Sequence, residues 1–303
     1  MIVTQTPLRL ALLGGNTDFP KYFKKYGGAG LTCTIDKYIY CIVKERFDKE
    51  IRINYSVKEI VHDVKDIQHD LVREAMKLVG VKDSIEITFL SDIPSEGSGL
   101  GSSSALVVGL LNALHHYKND PVTTRQLAEE ACKIEVGILK NPIGYQDQYA
   151  IAFGGCNLIE YGKEITLKPF ELNKECLLLF YTGISRKTND VLSSLKLDKK
   201  ILDKNKSLVY RAGKEMLSVL FNESWEMKKK LNPLTTNKDI DLLYKTAIDL
   251  GALGGKIIGA GGGGFLLLVV KVKDQYELRQ NFSLKELPFR LSHYGSRVIF
   301  NSL

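Results

Sequence analysis

The residues best equipped for chemistry lie in four short segments. Asp147 stands in NPIGYQDQYAIAFGG, after the helix-ending pair Asn141-Pro142 and among amides and aromatic rings. A partly desolvated carboxylate in such a place can accept a proton from a substrate hydroxyl. Glu135 lies twelve residues earlier on the preceding helix, from which a carboxylate can reach a magnesium ion. A solvent-facing helix glutamate is the alternative reading of that position. Near the N-terminus, PLRLALLGGNTDF places Arg9 ahead of Gly14-Gly15, Asn16 and Asp18. Arginine offers fixed donors and aspartate accepts, which suits a hydroxyl-rich ligand, although a surface turn accounts for the same letters.

The third segment is GSGLGSSSALVVGLL. Glycines 97, 99 and 101 let the backbone turn where a Cβ would clash. Ser102, Ser103 and Ser104 then bring hydroxyls and backbone N–H groups to the first turn of a helix. Unsatisfied N–H groups and the positive end of the helix dipole form a natural phosphate cradle, and a serine hydroxyl is a hard oxygen ligand for nucleotide-borne Mg²⁺. A helix cap behind a flexible loop is the plainer reading. The spacing is not a Walker A loop, and the third glycine falls one position early for a dinucleotide fingerprint. The fourth segment, GGKIIGAGGGGFLLLVV, feeds six small residues (Gly259 to Gly264) into an apolar strand. Glycine costs roughly 0.5–1 kcal/mol per position in chain entropy, so the run needs a reason: close approach of backbone to a ligand, or a tight bend.

The elements that must position these segments are a mixture of strands and helices without regular βαβ alternation, which predicts an α+β protein. Strands are expected at Leu8 to Leu13, Gly30 to Phe47, Ile51 to Val57 and Ser84 to Leu90, with a helix at 64–78 stopped by Gly80. A capping box, Thr123 with Gln126, starts a helix that runs to about Lys140. Beyond Tyr161 the pattern changes: a buried strand at Cys176 to Tyr181, amphipathic helices over 203–231 and 239–251, and a last strand at Arg297 to Phe300. A boundary is placed near residue 165, giving domains 1–165 and 166–303.

Composition narrows the partners. Hydrophobic residues make up 44% and charged residues 25%, ordinary globular values, and no run reaches the roughly 18 apolar residues of a membrane helix. The N-terminus lacks the pattern of a secretory signal, so a cytoplasmic protein is expected. Five scattered cysteines with no C-x-x-C pair predict reduced, mostly buried thiols. The net charge of +7 comes from dispersed lysines, the densest region, Lys196 to Lys230, reading as a solvated helix surface. That pattern suits phosphorylated small molecules rather than nucleic acid.

These segments, in this order, resemble the GHMP kinase superfamily across essentially the whole chain. GLGSSSA is similar to its phosphate loop, and GAGGGGF to its third motif. GGNTDF, GGAGLTCTIDKYIY, IGYQDQYAIAFGG and TGISRKTNDVL look most like the D-glycero-D-manno-heptose 7-phosphate kinases within its sugar-kinase branch. The resemblance implies an N-terminal domain of the ribosomal protein S5 domain 2 type, a ferredoxin-like C-terminal domain, and ATP with Mg²⁺ as cofactors. It implies Asp147 as the catalytic carboxylate and Arg9 as its cationic partner. Gly97, Gly99, Leu100, Gly101, Ser102, Ser103 and Ser104, with Gly261 and Gly262, would wrap ATP, and Ser103 and Glu135 would hold Mg²⁺. Asn16, Asp18 and Gln146 would contact the sugar, and Arg186, in GISRK, would meet a phosphate at its remote end. The phosphate-loop spacing departs from the family pattern by one extra residue, at Pro94-Ser95-Glu96-Gly97. Another GHMP small-molecule kinase (fucose-, galactose- or mevalonate-type) and a catalytically silent sugar or nucleotide sensor on the same fold are the alternatives. The oligomeric state is not legible in the sequence.

Overall fold

The computed structural model describes residues 1–94, 97–172, 176–184, 191 and 194–302. In chain order the first part comprises β1 (Ile2–Leu13), α1 (Pro20–Tyr26), β2 (Gly28–Glu45), β3 (Ile51–Asn54), β4 (Lys58–Val61), α2 (Asp70–Val79) and β5 (Ile85–Ser91). It continues with α3 (Ser102–Tyr117), α4 (Thr124–Cys132), α5 (Gln146–Phe153), β6 (Cys156–Tyr161) and β7 (Thr166–Pro169). The second part holds β8 (Cys176–Tyr181), α6 (Lys199–Arg211), α7 (Leu217–Leu231), α8 (Lys238–Asp249), β9 (Gly254–Ile257), β10 (Phe265–Val270), α9 (Gln275–Asn281) and β11 (Lys285–Glu286). The closing strand, β12 (Arg297–Asn301), pairs antiparallel with β1.

The larger sheet runs β12-β1-β2-β5-β3-β4, with β6 and then β7 continuing from the first half of β2. β2 is long enough, at 18 residues, to pair with β6 through Gly28–Cys33 and with β5 through Ile39–Glu45. The smaller sheet runs β11-β8-β10-β9. Numbered within that sheet, the order is 4-1-3-2, the ferredoxin-like arrangement. The second part therefore has the ferredoxin-like arrangement expected of it.

Helix α3 is apolar almost all round because it lies between β1, β2 and the helices α2, α4 and α5. Its Gly109 lets it sit close to the sheet: a Cβ there would meet Thr6 Oγ1 at 2.6 Å, and Thr4 Oγ1 donates to the Gly109 carbonyl at 2.9 Å. Strand β10, FLLLVV, is buried on both faces. Phe265, Leu267 and Val269 join the main core while Leu266, Leu268 and Val270 enter a second core with Trp225 and Phe180. Period-2 alternation between two apolar environments explains an unbroken apolar run.

Three expectations are corrected. Cys33 and Cys156 stand opposite each other in the β2–β6 register and form a disulfide, although 123 positions separate them in sequence. Cys41 and Cys132 are free and buried. The single helix expected at 64–78 is split, since Asp63 caps a 3-10 turn at Val64–Asp66 and α2 starts only at Asp70. The stretch 203–231 likewise divides into α6 and α7, with Gly213 at φ +83° between them.

Candidate active site

Local backbone chemistry builds the phosphate loop. Gly97, Gly99 and Gly101 all adopt positive φ (69°, 72° and 81°), a conformation that side chains resist. Gly101 is the N-cap of α3 and leaves the helix's first N–H groups without a side-chain cap. Leu100 is fully buried and anchors the loop: its N–H meets Ser98 Oγ at 3.3 Å and its carbonyl accepts the Arg9 N–H at 3.0 Å. Ser102 and Ser104 are buried, whereas Ser103 is exposed.

The serines converge on Glu135. This carboxylate is fully buried and accepts from Ser103 Oγ (3.0 Å), Ser104 Oγ (2.7 Å) and Gln148 Nε2 (2.5 Å). Burial pushes its pKa up to about 7 against the pull of those hydrogen bonds, and the charge of Asp147 adds to the rise. An exposed hydroxyl 3.0 Å from a buried, uncompensated carboxylate fits Mg²⁺, which takes one or two protein oxygens and fills its remaining positions from phosphate and water. Among the described residues there is no cluster of three or more acidic, histidine or cysteine groups that could hold a metal ion. Gln148 was not singled out in the sequence, and Ser104 was expected at the nucleotide rather than on Glu135. The signal was present, since Gln148 directly follows Asp147 and its amide can turn inward.

Arg9 and Asp147, 138 positions apart, form a bidentate pair: Nε to Oδ1 at 2.7 Å and Nη2 to Oδ2 at 2.5 Å. Arg9 also donates from Nη1 to the Gly99 carbonyl at 2.6 Å, tying the carboxylate to the phosphate loop. The arginine is nearly buried, with 5% of its side chain exposed against 27% for Asp147, so the carboxylate is the open partner. Each carboxylate oxygen keeps an unused lone pair for a hydroxyl.

Asp147 lies in a cleft together with Asn16, Asp18 and Gln146. Asp18 is buried and accepts the Gln146 N–H at 3.0 Å; burial raises its pKa to about 6, with Asp147 contributing. Gly144 is obligatory beside it, because a Cβ would approach Asp18 Oδ2 to 1.9 Å. Asn16 sits at φ +69° in a turn braced by Thr17 Oγ1 to the Gly14 carbonyl (2.7 Å) and by Asn205 Nδ2 to the Gly15 carbonyl (2.6 Å). Gln146 Nε2 and Asn205 Oδ1 are buried without hydrogen-bond partners among the described residues, and both residues line the cleft. Arg186 lies outside the described residues.

The second glycine loop touches the first one. A Cβ on Gly259 would lie 2.5 Å from Gly99 Cα, and one on Gly264 would meet the Gly97 and Ser98 carbonyls at 2.8 Å. Gly261 and Gly262 pack on Thr235 instead: a Cβ on Gly261 would meet Thr235 Cγ2 at 2.7 Å, and the Gly262 N–H donates to the Thr235 carbonyl at 2.6 Å. Close backbone contact between loops accounts for part of the glycine run.

Besides Asn205, two basic cleft residues were missed. Lys256, from GGKIIG, is buried and donates to the Leu12 carbonyl at 2.6 Å, inside a β-bulge of β1. Burial first, and Arg9 second, lower its pKa to about 7. Lys228 is partly buried and donates to the carbonyls of Ile257 (2.9 Å) and Gly259 (2.6 Å). Burial and the nearby Lys256 hold its pKa well below the ordinary lysine value. It belongs to the stretch expected to be solvated surface, and this corrects that expectation. The signal was available: Leu217, Phe221, Ser224, Lys228 and Leu231 recur at helical spacing, so Lys228 occupies a core position of α7.

The arrangement can hold a polyphosphate at a helix end and keep a carboxylate beside an incoming alcohol, which defines a small-molecule kinase. Comparison with known proteins agrees with that class. The model of the GHMP kinase N-terminal domain matches residues 64–155, and that of the C-terminal domain matches residues 211–283. The chain is 34% identical to a D-glycero-alpha-D-manno-heptose 7-phosphate kinase of Campylobacter jejuni, over 91% of each. Among solved structures it is similar to a D-glycero-D-manno-heptose 1-phosphate kinase of Bacteroides thetaiotaomicron (TM-score 0.78, 25% identity, all of both chains). A sugar kinase structure from C. jejuni matches with TM-score 0.77 and 31% identity over 98% of this chain and 97% of that one. The chain belongs to the GHMP kinase family and is an ATP-dependent phosphotransferase with an alcohol acceptor. No helix among the described residues is long and apolar enough to cross a membrane.

Proposed function

We propose that this enzyme phosphorylates the anomeric hydroxyl of a sugar phosphate, D-glycero-D-manno-heptose 7-phosphate, giving the 1,7-bisphosphate in the cytoplasm for nucleotide-activated heptose biosynthesis. The observation that carries the reading is the Arg9–Asp147 pair, fastened to the Gly99 carbonyl and open to a cleft with unpaired polar atoms on its wall. Gly97 and Gly99 to Ser104 hold the ATP phosphates, and Gly261 and Gly262 contribute backbone from the second glycine loop. Ser103 and Glu135 would hold Mg²⁺, which offsets charge on the phosphates. Asp147 orients the anomeric hydroxyl and takes its proton late in the transfer. Arg9 steadies the carboxylate while negative charge spreads over the equatorial oxygens of a loose transition state. Asn16, Asp18, Gln146 and Asn205 meet the sugar hydroxyls.

Incubation with MgATP and a panel of sugars and sugar phosphates, read by phosphorus NMR, tests this. A new anomeric phosphate resonance on the heptose 7-phosphate is expected. Phosphorylation of a different carbon, or preference for galactose, fucose or mevalonate, overturns it.

A further inference from the structure

The mechanism above uses one cation, Arg9, yet three line or border the cleft. Lys228 and Lys256 project from the second part of the chain into the same space as Asp147. Neither has a carboxylate within salt-bridge distance among the described residues; carbonyl oxygens are the recorded hydrogen-bond partners of both. An ammonium group has three donors. Lys256 uses one on Leu12 and Lys228 uses two, on Ile257 and Gly259, so three N–H donors remain between them.

Placing a lysine away from water without an anion is costly, and placing two of them beside Arg9 adds mutual repulsion. Bulge capping explains one bond of Lys256. It does not explain why two cations were gathered where a single neutral donor would satisfy each carbonyl. Asp18, the other acid that lines the cleft, accepts the Gln146 N–H and forms no salt bridge with either lysine among the described residues.

We infer that Lys228 and Lys256 form an anion subsite for a phosphate monoester already carried by the acceptor, selecting phosphorylated over plain sugars. This deepens the proposed function and rests on the cleft being the acceptor site. The phosphate loop has its own donors for the nucleotide, the N–H groups at the start of α3. The lysines stand on α7 and β9, and Lys256 is fastened to the bulge of β1 that precedes the Asn16–Asp18 turn. The dianion would supply the charge that the protein leaves out.

Lys256→Met and Lys228→Gln test the subsite by two routes. The first is steady-state kinetics with heptose 7-phosphate, unphosphorylated heptose and ATP as varied substrates. Losing a charged hydrogen bond to phosphate should raise KM for the phosphorylated sugar about 10- to 100-fold in each variant. KM for plain heptose and for ATP should stay within about threefold. Equal losses with both sugars, or a raised KM for ATP, would overturn the inference by assigning the lysines to the transferring phosphoryl group. The second route needs no turnover. Trp225 is the chain's one tryptophan, and Lys228 Nζ lies 5.9 Å from its ring centroid, so its emission should respond to inorganic phosphate. The response should weaken in both variants, each first shown folded by its thermal transition. If no sugar is turned over but this lysine-dependent response persists, the subsite stands and the sugar-kinase reading falls. Wild-type emission indifferent to phosphate overturns the subsite.

Discussion

Replacing Lys256 by methionine should make the protein more stable at neutral pH, and the gain should shrink as the solution becomes alkaline. The side chain is buried, and its pKa falls from the ordinary 10.5 to about 7 through burial and the charge of Arg9, with Lys228 nearby. Between those two values the unfolded chain binds a proton that the folded chain does not. Wild-type stability therefore rises with pH across that window and is flat, at its lowest, below pH 7. Each pH unit contributes about 1.4 kcal/mol, so the full penalty at pH 7 approaches 5 kcal/mol. Methionine keeps the volume and removes the charge, but it leaves the Leu12 carbonyl without its donor, a loss of about 1–3 kcal/mol. The variant should exceed wild type by roughly 2–4 kcal/mol at pH 6, with the difference closing by about 3 kcal/mol by pH 9. Urea unfolding followed by Trp225 emission at pH 6, 7, 8 and 9 reads both numbers. A stability difference that does not move with pH would refute the reasoning, because it would mean that Lys256 keeps its ordinary affinity for protons.

Three further outcomes follow from the site. Asp147→Asn should lower turnover by about 10²–10⁴-fold while calorimetric MgATP binding persists, and near-normal turnover would remove Asp147 from proton transfer. Glu135→Gln keeps the shape but lowers the charge offered to the metal, so the free Mg²⁺ giving half-maximal activity should rise at least tenfold at fixed ATP; an unchanged magnesium curve would place the ion elsewhere. Gly259→Ala puts a Cβ 2.5 Å from Gly99 Cα at φ +71°, so the two loops must part. Weaker ATP binding with a lower Tm is expected by calorimetry and thermal scanning, and a variant indistinguishable from wild type in both would show that the loops are free to shift.

The features legible in the sequence were those written in consecutive residues. SSSALVVGLLNALHHY announces a buried helix behind a glycine loop, and FLLLVV announces a strand covered on both faces. What stayed hidden depends on register and on which face of a helix turns inward. Arg9 and Asp147 were paired through family resemblance, since no spacing rule joins positions 138 residues apart. Cys33 and Cys156 read as separate thiols until β2 and β6 aligned them. Lys228 sits in a run of three lysines whose composition says surface, while the stripe through Phe221, Ser224 and Leu231 says interior. Composition was the weaker guide because one residue of a polar run can follow the apolar face. Gly213 was likewise an unheeded break between α6 and α7.

The pairing of β12 with β1 is reinforced by side chains. Thr6 Oγ1 meets Ser296 Oγ at 2.9 Å, Asn112 Nδ2 donates to the same hydroxyl at 3.1 Å, and the Met1 amino group reaches Ser302 Oγ at 3.0 Å. β1 is thus closed along Ile2–Gln5 by a strand that lies far away in the sequence. Until β12 docks, the edge of β1 at Ile2–Gln5 lacks its partner and is a ready template for a neighbouring chain. Loss of Arg297–Asn301 would leave every site residue named above in place and still open that edge, so β12 guards solubility as the catalytic residues guard chemistry.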